Sequence, residues 1–207
     1  MDMAVPIPTN VDGKELTSRG AATRQRLLDA AEKVFAGLGY HDASIVKITE
    51  AAGVAQGTFY LYFAGKHEIF EELVRDLNRR VRRAMAEGAE RGRTRAESEL
   101  LGFKGYFDFV AQHGALYRII RQAEFVAPQA LRDHYEAIAA GYAPALEAAM
   151  RRGEAAEMDP EVLAWALMGM GELLGMRWIV WEGAGEVPRK LLAEMQSVQR
   201  AYPGATW

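Results

Sequence analysis

Apolar residues fall into helical register from Thr23 onward. Leu27, Leu28, Ala31, Val34, Phe35 and Leu38 recur at three- and four-residue intervals, separated by Arg24, Arg26, Asp29, Glu32 and Lys33. Gly39 is where this first helix should stop. Ser44 then stands as the N-cap of a short helix whose inner face is Ile45, Ile48 and Ala52. Gly53 and Val54 make a turn, a second short helix runs from about Gln56 to Tyr62, and Gly65 interrupts the chain again. A long helix begins near Lys66, with Ile69, Phe70, Leu73, Leu77 and Val81 on one stripe. Its other face carries Arg75, Arg79, Arg80, Arg82 and Arg83, a pattern that reads as a solvated or salt-bridged surface.

Beyond Gly92 the helical period continues over about 96–112, 115–123, 128–152, 160–182 and 188–201. Pro128, Pro160 and Pro188 each sit at a first helical turn, where the missing N–H costs least. Residues 1–18 are polar, hold two prolines and have no period, and are expected to form a mobile tail. With no alternating strand pattern and no internal repeat, the predicted class is all-α.

Composition narrows the function classes. The chain of 207 residues has no cysteine, so disulfides and thiolate metal sites are excluded. The opening residues lack a basic region followed by an apolar run, so a signal peptide is not expected. The most apolar stretch, Leu163 to Trp181, is broken by Glu172 and Arg177, which argues against a membrane span and for a cytoplasmic protein. His41, His67, His113 and His134 are scattered without metal-ligand spacing, and His134 and Glu136 are expected to be surface polar groups. No nucleophile, base and acid can be placed together and no glycine-rich phosphate loop is present, so neither an enzyme nor a cofactor is expected. The net charge of −3, with acids and bases balanced over residues 1–66, lends a nucleic-acid partner no bulk support. That argument rests on particular positions.

Those positions lie in the segment SIVKITEAAGVAQGTFYLYFAGK, from Ser44 to Lys66. Two short helices joined by a glycine turn have the size of a helix-turn-helix, whose second helix enters the major groove. That helix would present Gln56, Thr58, Tyr60, Leu61 and Tyr62, while Phe59 and Phe63, four apart, face inward. Phenol and ammonium groups both donate to phosphate oxygens, which suits Tyr60, Tyr62 and Lys66 to backbone contacts. The segment resembles the DNA-binding signature of the tetracycline-repressor (TetR) family of bacterial regulators. RQRLLDAAEKVFAGLGY is similar to that family's first helix and KHEIFEELV to the start of its fourth, so the resemblance is specific over about residues 22–75.

The resemblance implies roles position by position. Ser44 falls on a hydroxyl residue that touches the DNA backbone, Tyr60 and Tyr62 on the recognition-helix aromatics, Gln56 and Thr58 on positions that approach bases, and Lys66 on a phosphate-binding lysine. The chain departs from the pattern at three places. Ala55 stands where a capping serine is common, losing roughly 1 kcal/mol of capping. Ala64 and Gly65 replace a commonly polar pair, and Thr49 replaces a small apolar residue. The implied domains are a tail over 1–18, a helix-turn-helix domain over 19–66 and a helical effector-binding and dimerisation domain over 67–207.

The C-terminal part is rich in aromatic and flexible side chains, which fill helix cores and also line adaptable apolar cavities. The resemblance places an effector pocket here, for which Phe103, Tyr106, Phe107, Tyr117, Phe125, Tyr142, Trp165, Met168 and Trp178 are the candidates. Arg118, Arg121 and Arg177 are available to an anionic head group, or to plain surface and ion-pair roles. The stretch AEFVAPQALRDHYEAIAAGY is similar to regulators of aromatic or fatty acyl-CoA metabolism. Gly169, Gly171 and Gly175 inside one helix imply the close approach of another helix, a bend, or room for bulky neighbours within one subunit. As in the family, Gly171 and Gly175 with Leu192 and Met195 of the last helix form the candidate interface of a homodimer. The expected function is a DNA-binding transcriptional regulator. It would act as a repressor on a pseudo-palindromic site in double-stranded DNA, released by a small, mainly apolar effector such as an acyl-CoA or aromatic acid derivative. A helical dimerisation or adaptor protein without a ligand is the alternative, with an enzyme third.

Overall fold

Thr17 opens the first helix, its side chain accepting a hydrogen bond from the Gly20 amide. The computed structural model describes residues 9–154, 157–183 and 185–201. Among them are α1 (Ser18–Asp42), α2 (Ile45–Ala52), α3 (Gln56–Phe59), α4 (Lys66–Ala89), α5 (Arg95–Gln112), α6 (Ala115–Val126), α7 (Pro128–Arg151), α8 (Pro160–Gly175) and α9 (Arg189–Ala201). No strand occurs among the described residues beyond an isolated bridge between Thr9 and Glu15, and the class is all-α as expected. Contacts divide the chain into one unit of Met1–Asp76 with Arg118–Leu131 and a second of Leu77–Tyr117 with Arg132–Trp207.

The first unit extends past Lys66 because the opening turns of α4 bury Ile69, Phe70 and Leu73 completely. Phe70 meets Phe35 and Tyr40 edge-on at 5.1 Å and 5.2 Å between ring centres. Leu27, Leu28, Ile48, Phe59 and Phe63 complete this core. The α6 segment is tied in through Gln122, whose Oε1 accepts from the Tyr40 amide at 2.5 Å. Gly39, at φ 78°, kinks α1 where the sequence predicts a stop; one more turn follows, as far as Asp42. The expected tail is ordered over residues 9–17. There the Asn10 side-chain oxygen accepts from the amides of Asp12 at 3.1 Å and Lys14 at 2.8 Å. The Val11 amide donates to the Leu61 carbonyl at 3.3 Å. Residues 1–8 lie outside the described residues.

In the second unit α4 and α5 cross closely. A Cβ at Gly88 would collide with the Leu101 carbonyl oxygen, and one at Gly105 with that of Ala84. The arginine face of α4 is salt-bridged in part, with Arg83 on Glu87 at 2.7 Å. In the first unit Arg75 pairs with Glu72 at 2.8 Å. Asp159 caps α8 with bonds to the amides of Glu161 and Val162. After Gly175 the α-helical ladder gives way to a π-helical turn, Met176–Val180, where the Trp181 amide reaches back to the Met176 carbonyl. By length and composition alone Pro160–Val180 could cross a bilayer. Its buried face, however, is carried by Leu163, Leu167, Gly171 and Gly175, packed inside the unit.

Candidate nucleic-acid interface

The turn between α2 and α3 is closed by local chemistry. Ser44 caps α2, its hydroxyl oxygen accepting from the Lys47 amide at 3.2 Å. Gly53 ends α2 in the left-handed region at φ 65°, a conformation that costs glycine nothing. The Val54 amide returns to the Thr49 carbonyl at 3.1 Å. Thr49 is buried, and its hydroxyl donates to the Val46 carbonyl at 2.9 Å, which is how a threonine fits a position where an apolar residue is usual. Ala55 precedes α3 with no side-chain cap. Past Ala64 and Gly65, the Glu68 carboxylate accepts from the Ala64 amide at 2.5 Å and closes the start of α4.

Phe59 and Phe63 are wholly buried, as the spacing predicts, with ring centres 5.6 Å apart. Phasing the helix on these two residues leaves Gln56, Tyr60 and Leu61 exposed and Thr58 and Tyr62 half-buried. The recognition helix is shorter than the predicted span to Tyr62. After Phe59 the Leu61 and Tyr62 amides bond three residues back, to the carbonyls of Thr58 and Phe59, tightening the last turn.

Two expected backbone contacts look different in the structure. The Ser44 hydroxyl oxygen is occupied as a cap, leaving its proton to donate outward. The Lys66 ammonium is bonded within the protein. Its Nζ donates to the carbonyls of Tyr40 at 2.8 Å, Ala43 at 2.9 Å and His41 at 3.3 Å, which uses all three of its donors. In this structure Lys66 has a structural role, stapling the end of α1 to α4. Arg24 plays a similar part. It lies 2.6 Å from Glu72 and 5.0 Å from the Phe63 ring centre. Burial alone would raise the Glu72 carboxyl, but bonds from Arg24 and Arg75 outweigh it and hold the group below the usual carboxylate range.

Beside α3 lies a groove of about 410 Å³ that sequence reading missed, with Thr17, Arg19, Thr23 and Arg26 of α1 facing Thr58 and Tyr62. The signal was present, since positions 19, 23 and 26 share one helical face.

In the second unit four candidate pocket residues come together. Phe103 stacks on Phe107 at 6.2 Å, Tyr106 lies 5.5 Å from Phe107, and the Tyr106 and Tyr117 hydroxyls are 2.7 Å apart. Tyr117 donates to the Glu172 carbonyl at 2.6 Å and Tyr135 to the Glu172 carboxylate at 3.0 Å. Burial first, then the neighbouring Tyr117 hydroxyl, pushes the Tyr106 hydroxyl well above its ordinary range. Trp165 reaches this cluster through Tyr135, at 6.0 Å, and Met168 is half-buried. Tyr142 sits instead under the Arg95 guanidinium, at 5.8 Å, and Trp178 lines a groove with Leu191 and Met195 of α9. Phe125 is 85 % exposed and belongs to the first unit, so it does not join the cluster.

The dimer candidates need correction too. Gly171 and Gly175 are buried within their own unit. A Cβ there would stand 2.9 Å from the Phe103 ring and 2.7 Å from the Tyr117 hydroxyl. Met195 is also buried, and Leu192 half-buried. The outward stripe of α8 is Val162, Ala166, Gly169 and Leu173. Arg177 pairs with Glu182 at 2.5 Å, and Arg118 donates to the Ala36 carbonyl at 3.2 Å, the plainer of the two roles considered for each. His134 is not a surface group. It is buried, with the Asn78 amide 3.0 Å from its Nδ1 and 2.9 Å from its carbonyl oxygen.

Known proteins agree with this geometry. The profile of the bacterial regulatory proteins, tetR family, matches residues 27–73. The helix-turn-helix-type transcriptional regulator YdgC of Bacillus subtilis (strain 168) is 34% identical over 164 residues, which cover 77% of this chain and 82% of YdgC. The fatty acid metabolism regulator protein of the same organism is 32% identical over 129 residues, 62% of this chain and 66% of that one. The structure of the transcriptional regulator FadR from Bacillus subtilis in complex with stearoyl-CoA superposes with a TM-score of 0.70 at 26% identity, covering 84% of this chain and 94% of that chain. With the helix-turn-helix segment inside the matched profile and a relative of 34% identity covered over 82% of its length, the chain belongs to the tetR family of bacterial regulatory proteins, DNA-binding transcriptional regulators of the helix-turn-helix type.

Proposed function

We propose that this regulator is a homodimeric repressor that reads a pseudo-palindromic operator and releases it when a mainly apolar effector binds the second unit. The observation that carries the reading is the phase of α3. With Phe59 and Phe63 sealed in the core, Gln56, Thr58, Tyr60, Leu61 and Tyr62 are left toward solvent. Gln56 and Thr58 are the base-reading groups of this surface, and Tyr60, Tyr62 and the Ser44 hydroxyl its backbone contacts.

Dimerisation is supported by the apolar outer face of α8 and the turn that follows it. Val162, Trp165, Leu173, Trp178 and Trp181 are all exposed. Such a run of large apolar groups marks an association surface. A two-fold pair then places two recognition helices on successive major grooves, about 34–36 Å apart on one face of the duplex.

The effector reading draws on the aromatic cluster around Tyr106 and Tyr117, and on the stearoyl-CoA held by a relative of the same fold. The ligand class is an acyl-CoA or an aromatic acid derivative. Because α4 runs unbroken across the division at Asp76 and Leu77, a ligand that favours one disposition of its second half biases the first. Coupling of about 1–3 kcal/mol would change operator affinity roughly 5- to 150-fold. The test is operator affinity with and without stearoyl-CoA or an aromatic acid that alters Trp165 or Trp178 fluorescence. Weakening in that range is expected. Unchanged affinity with a ligand proven to bind the second unit overturns the effector mechanism. A strictly monomeric protein on operator DNA overturns the dimer.

A further inference from the structure

The groove between the first turns of α1 and the recognition helix remains without a role. Its lining includes the guanidiniums of Arg19 and Arg26 and the hydroxyls of Thr58 and Tyr62, with no carboxylate among the lining residues. In a chain of net charge −3 this is a local concentration of positive charge next to the base-reading surface. Among the described residues neither arginine is held in an ion pair.

Thr23 links the two arginine positions, through the Arg19 backbone and the Arg26 side chain. The Thr23 hydroxyl donates to the Arg19 carbonyl at 3.0 Å, and its oxygen receives Arg26 at 3.4 Å. Thr17 caps the helix on which both arginines stand. The turn at Asn10 is pinned just beyond the recognition helix by the bond from the Val11 amide to the Leu61 carbonyl. The α1 half of the groove, Thr17 to Arg26, precedes the segment that matches the family profile, which begins at residue 27.

We propose that this groove seats one backbone phosphate of the operator strand bordering the major groove, bound by Arg19 and Arg26 with the Tyr62 hydroxyl. A phosphodiester suits these groups because guanidinium forks and hydroxyls all donate to its oxygens. The groove adjoins the helix that enters the major groove, and a phosphate strand lines that groove on either side. The proposal rests on DNA reading by α3. With the Lys66 donors committed to the protein, the seat supplies a phosphate contact that Lys66 does not.

The test uses the full chain and an operator selected from random-sequence DNA. It compares wild type, the double variant R19A/R26A and the charge-keeping R19K/R26K. Among the phosphates whose ethylation blocks wild-type binding, one per half-site should lose its sensitivity in R19A/R26A while the others keep theirs. The slope of log affinity against log salt should fall by about 0.9 per half-site in R19A/R26A and be restored in R19K/R26K, with the selected base sequence the same in all three. An unchanged ethylation pattern and slope in R19A/R26A overturns the seat. A changed base preference overturns it as well, because the arginines would then read bases. If wild type selects no DNA at all, the reading by α3 fails first, and that outcome is distinct from either.

Discussion

The Lys66 ammonium lies 4.5 Å from the centre of the Tyr40 ring and donates to the Tyr40 carbonyl at 2.8 Å. It thus satisfies backbone acceptors at the end of α1 with a charge that sequence comparison assigns to phosphate. Lys66→Met keeps the aliphatic stem and removes the donors. It should destabilise the first unit by about 2 kcal/mol, the scale for hydrogen bonds to a charged group. The salt slope of DNA binding should not change. Urea unfolding and a salt titration on one preparation check both halves. A slope lower by about one unit with unchanged stability would return Lys66 to the phosphate backbone.

The two faces of α8 should respond oppositely to substitution. Gly175→Ala forces a methyl group against the Tyr117 hydroxyl, and Gly171→Ala forces one against the Phe103 ring. Each should cost about 1–3 kcal/mol by overpacking, seen as a lower thermal midpoint, with the dimer dissociation constant unaltered at temperatures where the protein is folded. Leu173→Glu, on the exposed stripe, should leave the midpoint of the monomer near its original value and abolish the dimer in sedimentation velocity. Dissociation in the glycine variants without loss of stability would restore Gly171 and Gly175 to the interface.

What the sequence made legible was local. Ser44, Gly53, Pro160 and the spacing of Phe59 and Phe63 act through neighbours within four residues, and each sits where the pattern places it. What it hid depends on partners far along the chain. Lys66 meets the Tyr40 carbonyl across 26 residues, and Asn78 meets His134 across 56. A histidine between Asp133 and Tyr135 has the same local surroundings whether buried or exposed; only the arrival of α4 decides. The three glycines of α8 were visible as a group. Which of them faces inward depends on helix phase against α5, and Gly169 proves to have open space where Gly171 and Gly175 have rings. Arg19 and Arg26 lie off the apolar face that the periodicity of α1 marks, and only the approach of α3 makes their shared face one wall of a groove.

His134 sets one limb of the stability profile. Burial lowers its imidazole from the ordinary 6.5 to about 4, so the folded protein refuses a proton that the unfolded chain accepts. Stability is present above pH 6.5 and is lost as pH falls toward 4, by about 3 kcal/mol in all. Because Glu99 opposes it over the same range, this contribution is read in a Glu99→Gln background, where adding His134→Gln should abolish the loss seen as urea midpoints between pH 4 and 7. A double variant that keeps the acid limb of Glu99→Gln would assign that limb to another group.

Glu99 sets the opposing limb. Its carboxyl is buried on α5, and that burial pushes it up to about 7 against the pull of Arg95, whose Nη2 is 2.5 Å away. The sign is the reverse of the histidine's. A carboxyl raised in the folded state binds its proton more tightly than the unfolded chain does, so stability is present below pH 4.5 and is lost as pH rises through 7. The size is again about 3 kcal/mol. Between pH 4.5 and 6.5 the two groups act together, one gaining stability with pH and the other losing it, so the wild-type profile should be nearly flat there. Removing either group exposes the other. Glu99→Gln should give a protein whose stability falls steadily as pH drops from 6.5 to 4. His134→Gln should give one whose stability falls as pH rises from 4.5 to 7, and the double variant should be flat across both windows. Urea midpoints for the four proteins at half-unit pH steps measure this directly. Parallel profiles for wild type and both single variants would show that neither buried group governs the pH dependence of the fold.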